Sequence, residues 1–562
     1  MTHRRPRRRF LGASARAAAG LALGGRALRL EAQPAFDIVI RGADVLDGTG
    51  APRYSADVGI RGDSIAAIGS LPADAASRAI DARGQCLAPG FIDIHSHSDG
   101  DILVYPGAES RVRQGVTTEI TGNCGSSRAP LAGQDVERRR KEWLDEDGLT
   151  ANWTDVASYA AAIEASGAAI NQALLLGQGT LRANAVGLVN RPLTEDELAG
   201  VLGVLEAGLD QGALGLSTGL EYTPGRFTPT EEIVRMARLV ARRGGLYASH
   251  VRNEEAGLLE AVHEAIDIGR RSGARVEVSH LKAAGRINWS KQEAALHLIE
   301  SARREGIGVW ADAYPYAAYS TGLTILLDDW ALEGGRPAML ERLKDAALRP
   351  RIRKEVAAKV KDEPGGYELI VISSVKTERN RGMVGKNFQE IAERWRMEPI
   401  DALLRLLEEE EGAVGFIGHG MSAANVDAVL AHPLVMIGSD GRSMAPVGKA
   451  AERRPHPRSY GAFARVLGVY VRERKLFDLE TAVKKMTSLP ADQAGLADRG
   501  RIASGKKADL VVFDPATVAD AATFDAPHRY PTGIRYVLVN GVVVIDDGKQ
   551  TEARPGRMLR RA

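Results

Sequence analysis

The chain has 562 residues, 44% of them hydrophobic and 26% charged, with a formal net charge of +2. That apolar content suffices for one large core plus a satellite domain, and it excludes a disordered or fibrous chain. No apolar run approaches the length of a bilayer-spanning helix, so stable membrane insertion is not expected.

The first 32 residues stand apart. Arg4, Arg5, Arg7, Arg8 and Arg9 precede a weakly apolar stretch from Phe10 to Gly25, with small residues near Ala32. This is the layout of a secretory leader, and Arg7-Arg8-Arg9-Phe10-Leu11 fits a twin-arginine signal, which predicts export to the periplasm. The alternative is a basic tail on a cytoplasmic protein, and Arg16 inside the apolar stretch favours it. These residues hold eight Arg and one Glu, net +7, so the rest of the chain carries −5. A mildly acidic body has no electrostatic footprint for nucleic acid.

Short strand-like runs follow at 36–41, 55–61 and 64–68, and the far end answers with 509–513 and 534–545, the last broken by a hairpin-type Asn540-Gly541 turn. Both flanks, 36–87 and 500–562, are expected to form one small composite β-sandwich domain. Between them apolar strands alternate with helical patterns, the signature of βα units. Strands are read at 90–95, 115–121, 170–177, 212–217, 246–250, 275–280, 306–312 and 434–439. Eight such strands predict an α/β fold, a (β/α)8 TIM-like barrel spanning 88–319 and 413–499, with active residues at the strand carboxyl ends. The gap before the eighth strand is too long for one loop. Residues 320–412 are therefore expected to form an inserted α+β subdomain, with helices near 338–361 and 387–411 and a strand at 368–373.

The chemistry-bearing residues collect at those strand ends. His95 and His97 follow Phe91-Ile92-Asp93-Ile94, and alternate residues of a strand share one side. Cys124 lies in Gly122-Asn123-Cys124-Gly125, His250 closes the fifth strand, His280 the sixth and Asp440 the eighth. Thiolate and imidazole beside a carboxylate suit zinc, and three protein ligands leave a position open for water. Zinc would polarise a substrate carbonyl and lower the pKa of water. The remaining histidines, His3, His263, His297, His419, His432, His456 and His528, are read as non-ligands. The two cysteines form no disulfide framework, and Cys86 is read as a buried residue entering the first barrel strand.

The His-X-His after Gly90-Phe91-Ile92-Asp93, the Ser-His strand ends and the late Ser439-Asp440-Gly441 resemble the amidohydrolase superfamily. Within it, the cysteine motif stands where a carboxylated lysine is usual. Together with 215–225 (GLSTGLEYTPG), 279–282 (SHLK), 312–316 (DAYPY), 456–461 (HPRSYG) and the tail, notably 510–515 and 555–561, the chain is similar to the N-acyl-D-amino-acid deacylases, or D-aminoacylases.

The resemblance implies zinc-dependent hydrolysis of the linear amide of a small-molecule N-acyl-D-amino acid. It implies one tight zinc at Cys124, His250 and His280, and a second, weaker metal position at His95 and His97. Asp440 would be the catalytic acid/base, Lys282, Tyr314 and Arg458 would hold the α-carboxylate, and Ser320 would line the pocket. Arg presents a planar fork to a carboxylate and Lys a point charge, which agrees. Three departures bear on the substrate side chain. Tyr319 stands where a small residue is expected, Gln178 where many relatives carry His, and the loop from Asp440 to His456 is long. A cyclic-amide hydrolase of the hydantoinase or dihydroorotase type and a non-catalytic barrel scaffold are the rival readings. The sequence sets no oligomeric state.

Overall fold

The computed structural model describes residues 35–561, so the leader expected at 1–32 lies outside the described residues. Eight parallel strands form one sheet in sequence order: β1 (Phe91–Asp93), β2 (Val116–Thr121), β3 (Asn171–Gly177), β4 (Gly215–Gly219), β5 (Leu246–His250), β6 (Arg275–Val278), β7 (Val309–Ala313) and β8 (Val435–Ile437). Every strand read from the sequence is present. β3 shows why the runs are continuously apolar. Ala173 and Leu175 pack in the barrel lumen with Ile92, Ile120, Ala248 and Met436, while Leu174 and Leu176 join the core beneath the surrounding helices. Both faces of a barrel strand are buried, so the alternation is between two cores rather than between core and water.

The helices follow local rules. Glu195–Asp210 starts on a capping box in which Thr194 and Glu197 satisfy each other's backbone N–H groups. Thr230–Arg242 buries Ile233, Val234, Met236, Ala237 and Val240, one face at helical spacing.

β8 returns to β1 just beyond the strands themselves. Asp440 N donates to His95 O at 2.8 Å, His97 N donates to Gly441 O at 2.9 Å, and Ser96 and Gly441 form a parallel bridge. The barrel is therefore stitched shut by the same residues that carry the candidate chemistry.

Both chain flanks build a second sheet of nine strands around a core of Ile38, Ile40, Val45, Leu87, Leu510, Val512 and Leu538. Cys86–Pro89 joins the two halves, pairing with Phe36–Val45 on one side and Leu510–Phe513 on the other. Cys86 itself is buried there, in that sheet rather than in β1. Asn540 and Gly541 both adopt positive φ, 48° and 78°, as their hairpin turn requires. Ala76–Asp81 and Cys86–Pro89 were not expected as strands, since they lack β-branched runs.

The segment between β7 and β8 carries helices Gly335–Lys344, Arg349–Asp362, Phe388–Trp395 and Pro399–Glu409. Its strand Ile370–Ser374 belongs to a three-stranded antiparallel sheet with Tyr319–Gly322 and a central Gly415–Gly418. That sheet draws on residues just beyond both ends of 320–412, and it brings Tyr319 to Gly322 and Val414 to the wall of the barrel mouth.

Candidate metal and substrate site

A cavity of about 1190 Å³ opens at the carboxyl ends of the strands and is lined by His97, Cys124, His250, His280, Lys282, Ser320, Asp440 and Arg458. His95 is fully buried just beneath it. The His95 and His97 rings lie 5.4 Å apart, and both face Asp440 Oδ1, at 3.7 Å and 3.0 Å. The alternation read from the sequence thus delivers both imidazoles to one side.

Cys124, His280 and Asp440 all adopt left-handed backbone conformations, with φ of 52°, 35° and 50°. Such conformations cost free energy for a residue with a Cβ and persist where the surroundings impose them. Around Cys124 the reason is visible. A Cβ at Gly122 would come 2.0 Å from Leu175 O, and one at Gly125 would come 2.5 Å from Gly219 N. Only glycine permits the β2 loop to press against β3 and β4 and aim the thiol inward.

Cys124 Sγ lies 3.3 Å from His280 Nε2 and 3.4 Å from His95 Nε2. His250 Nδ1 is 2.9 Å from His280 Nε2, and its Nε2 is 3.0 Å from Glu221 Oε2. Burial pushes the Cys124 thiol up, but His95, His280 and His97 outweigh it and hold the group well below its ordinary value. Cys124 thus gathers with His95 and His280, while His250, expected beside it, joins through His280 in a second group with Glu254; thiolate and imidazole together are a donor set that fits zinc.

Asp440 is held from the other side by Arg458, whose Nη1 is 2.7 Å from Oδ2. Burial raises the Asp440 carboxyl, but Arg458 and His97 win and keep it well below the usual carboxylate range. Arg458 also donates from Nη2 to Ser320 O at 3.2 Å and lies 4.8 Å from the Tyr314 ring centroid. Lys282 is 5.9 Å from the same ring, so Tyr314 sits between the two cations. In this state both cations are paired within the protein, Lys282 with Glu254 at 2.6 Å and Arg458 with Asp440.

Below the site, Arg111 pairs with Glu119 at 2.9 Å and approaches Asp93 at 3.6 Å, all three fully buried. Asp93 accepts from Ser439 N and Oγ, and Glu119 accepts from the hydroxyls of Ser96, Ser98 and Ser443. This buried network ties the His-X-His loop to the Asp440 loop.

The sequence reading missed several of these partners. Glu254 has a visible signal, four residues after His250. Asp312, 3.1 Å from His95 Nδ1, stands in the DAYPY motif but has no mark of its own. His456, a non-ligand as read, accepts from Arg458 N at 3.0 Å and faces Ala318 O at 2.9 Å, so it sets the start of the helix that carries Arg458. Gln178 is buried and donates to Thr228 Oγ1, away from the cavity. Tyr319 does line the cavity, and its ring occupies the space above Gly418, where a Cβ would meet it at 2.2 Å. Next to it Glu221, Glu255 and Glu363 form a carboxylate wall. Burial and the neighbouring carboxylates hold Glu255 well above its ordinary value, and burial brings Glu363 to about 6.

The profile of the amidohydrolase family matches residues 78–545. An N-acyl-D-glutamate deacylase of Alcaligenes xylosoxydans xylosoxydans is 40% identical over 94% of this chain and 97% of its own. The chain belongs to the N-acyl-D-amino-acid deacylase family of amidohydrolases. Solved structures of the family match 94% of this chain. The N-acyl-D-glutamate deacylase of Bordetella bronchiseptica, complexed with zinc and a phosphonate mimic of the tetrahedral intermediate, is 38% identical with a TM-score of 0.79, covering 94% of this chain and all of that one. A D-aminoacylase with a binuclear metal centre is 37% identical at the same TM-score and coverage.

Proposed function

We propose that this chain hydrolyses the linear amide of N-acyl-D-amino acids, releasing the free amino acid and a carboxylic acid. The observation that carries the reading is the convergence of Cys124 Sγ with imidazole nitrogens of His280 and His95, beside a carboxylate paired to Arg458. Cys124, His250 and His280 would hold one tight zinc, and His95 and His97 a second, weaker metal. Bound there, zinc supplies Lewis-acid polarisation of the scissile carbonyl and a lowered pKa for water.

The chain's own residues do the rest. Asp440, ionised beside Arg458, accepts a proton from the attacking water and returns it to the leaving nitrogen. Arg458 and Lys282 line the cavity and would bind the α-carboxylate, while Tyr314, which the sequence placed with them, is buried behind the cavity wall with its ring between the two cations. Ser320, one residue from Tyr319, lines the adjoining wall.

Hydrolysis of N-acetyl-D-amino acids, their L-enantiomers, their α-amides and hydantoin tests this reading. Turnover confined to the D-series with a free α-carboxylate is expected. Preferential hydantoin opening would replace it with a cyclic-amide activity, and no turnover by zinc-loaded protein would leave a binding scaffold. The twin arginines at Arg7 and Arg8 support a further proposal, that residues 1–32 direct export to the periplasm. Among the described residues no helix is long and apolar enough to cross a membrane.

A further inference from the structure

Glu254 lies in the loop after β5, 6% exposed, and touches two functional groups at once. One of its oxygens, Oε1, is 2.9 Å from His280 Nδ1 and 2.6 Å from Lys282 Nζ. Lys282 Nζ is itself 2.8 Å from His280 Nδ1. The three groups form a triangle, and the imidazole cannot serve both partners in one state.

Two arrangements are exclusive. If Nδ1–H donates to Glu254, the lone pair of Nε2 faces Cys124 and His250. If Nδ1 instead accepts from Lys282, a neutral ring must carry its proton on Nε2, facing the Cys124 sulfur, and has no lone pair there to offer a metal. The ammonium is hydrogen-bonded to both Glu254 Oε1 and His280 Nδ1, and an ionised Glu254, with Oε1 2.9 Å from Nδ1, can accept from Nδ1–H and from the ammonium together once the ring turns its proton that way. Which nitrogen of a histidine is free is set by the bond that the other one makes.

We propose that Glu254 is a positioning residue that fixes the His280 tautomer with Nε2 free for metal, and that it does so partly by keeping Lys282 off Nδ1. The inference rests on the reading of His280 as a metal ligand. Loss of such an outer partner typically weakens metal binding about 10–100-fold.

The test is competition for zinc between the purified protein and a fluorescent chelator. Glu254→Gln is expected to lose roughly 10–100-fold in zinc affinity. Lys282→Met should stay near the parent. In the double variant, with no ammonium left to occupy Nδ1, affinity should recover part of that loss. Glu254→Asp, which keeps the charge beside Lys282 but withdraws it from His280 by one methylene, should also bind zinc more weakly and serves if Glu254→Gln does not fold. Parent-like affinity in either single Glu254 variant overturns the proposal, as does a double variant no tighter than Glu254→Gln. Cys124→Ala with undiminished zinc affinity would instead overturn the metal reading beneath it.

Discussion

Asp440→Asn removes one charge and keeps the shape of the side chain. Asp440 Oδ1 lies 3.0 Å from His97 Nε2, and Oδ2 lies 2.7 Å from Arg458 Nη1. Arg458 can only donate, so the carboxamide must turn its oxygen to Arg458 and its NH2 to His97, whose Nε2 accepts when the proton sits on Nδ1. Both contacts survive, as does the backbone bond from Asp440 N to His95 O. Arg458, 6% exposed, loses its counter-charge, and breaking a buried pair costs about 3–5 kcal/mol when the partner is left bare. Here Ser320 O and the Tyr314 ring still face the guanidinium, so the loss of stability falls below that range. What is lost is the proposed proton acceptor. General acid–base catalysis contributes about 10²–10⁴-fold, or roughly 2.7–5.4 kcal/mol of barrier. Steady-state hydrolysis of an N-acetyl-D-amino acid should show kcat lowered by at least about 100-fold. Zinc content by elemental analysis and phosphonate affinity by calorimetry should match the parent. Near-parent turnover by the zinc-loaded variant refutes the role of Asp440.

Cys124→Ala should lose tightly held zinc and activity together, whereas His95→Asn keeps at least one zinc; equal metal loss in both would mean the tight site is assigned wrongly. At pH 8, above the value of about 6 at Glu363, that carboxylate in the wall it forms with Glu221 and Glu255 should disfavour acidic side chains, giving N-acetyl-D-glutamate a lower kcat/KM than N-acetyl-D-glutamine, with the gap narrowed by Glu363→Gln. Equal kcat/KM values would remove the wall from the specificity argument. Lys485 is buried on two backbone carbonyls, including Val435 O at 2.7 Å, and burial lowers it to about 7. Unfolded, it titrates near ~10.4, so from pH 7 to 10 the unfolded chain binds the extra proton and stability rises by up to about 1.4 kcal/mol per pH unit. Lys485→Met lacks that rise, so its melting temperature relative to the parent falls as pH climbs from 7 to 10; a constant difference would show that Lys485 stays charged in the fold. Replacing Arg7 and Arg8 by Lys should retain the protein in the cytoplasm, and an unchanged distribution would remove the export proposal.

The barrel was legible because its strands are buried on both faces, which writes each as an unbroken apolar run such as Ala173–Leu176. Their ends placed Cys124, His250, His280 and Asp440 correctly at the mouth, since chain order and strand direction fix which end is which. The short strands Tyr319–Gly322 and Gly415–Gly418 escaped, being four residues each with three glycines between them. The Glu254–His280–Lys282 triangle and the Arg111–Glu119–Asp93 network escaped for another reason. A carboxylate that orients a ligand from a neighbouring loop has no fixed spacing, and only the closed barrel brings these groups together.

The seam between β1 and β8 also sets the order in which the site comes into being. His97 and Asp440 meet across 343 positions of chain. A polypeptide leaving the ribosome presents its thiol and imidazoles first, and Asp440 follows His280 by 160 residues. At about 5–20 residues per second that interval lasts roughly 8–32 seconds. Any nascent or truncated chain ending inside the segment between β7 and β8 has Cys124 and the four site histidines but no Asp440. The hydrogen bond that completes the cylinder is therefore also the one that brings Asp440 into place.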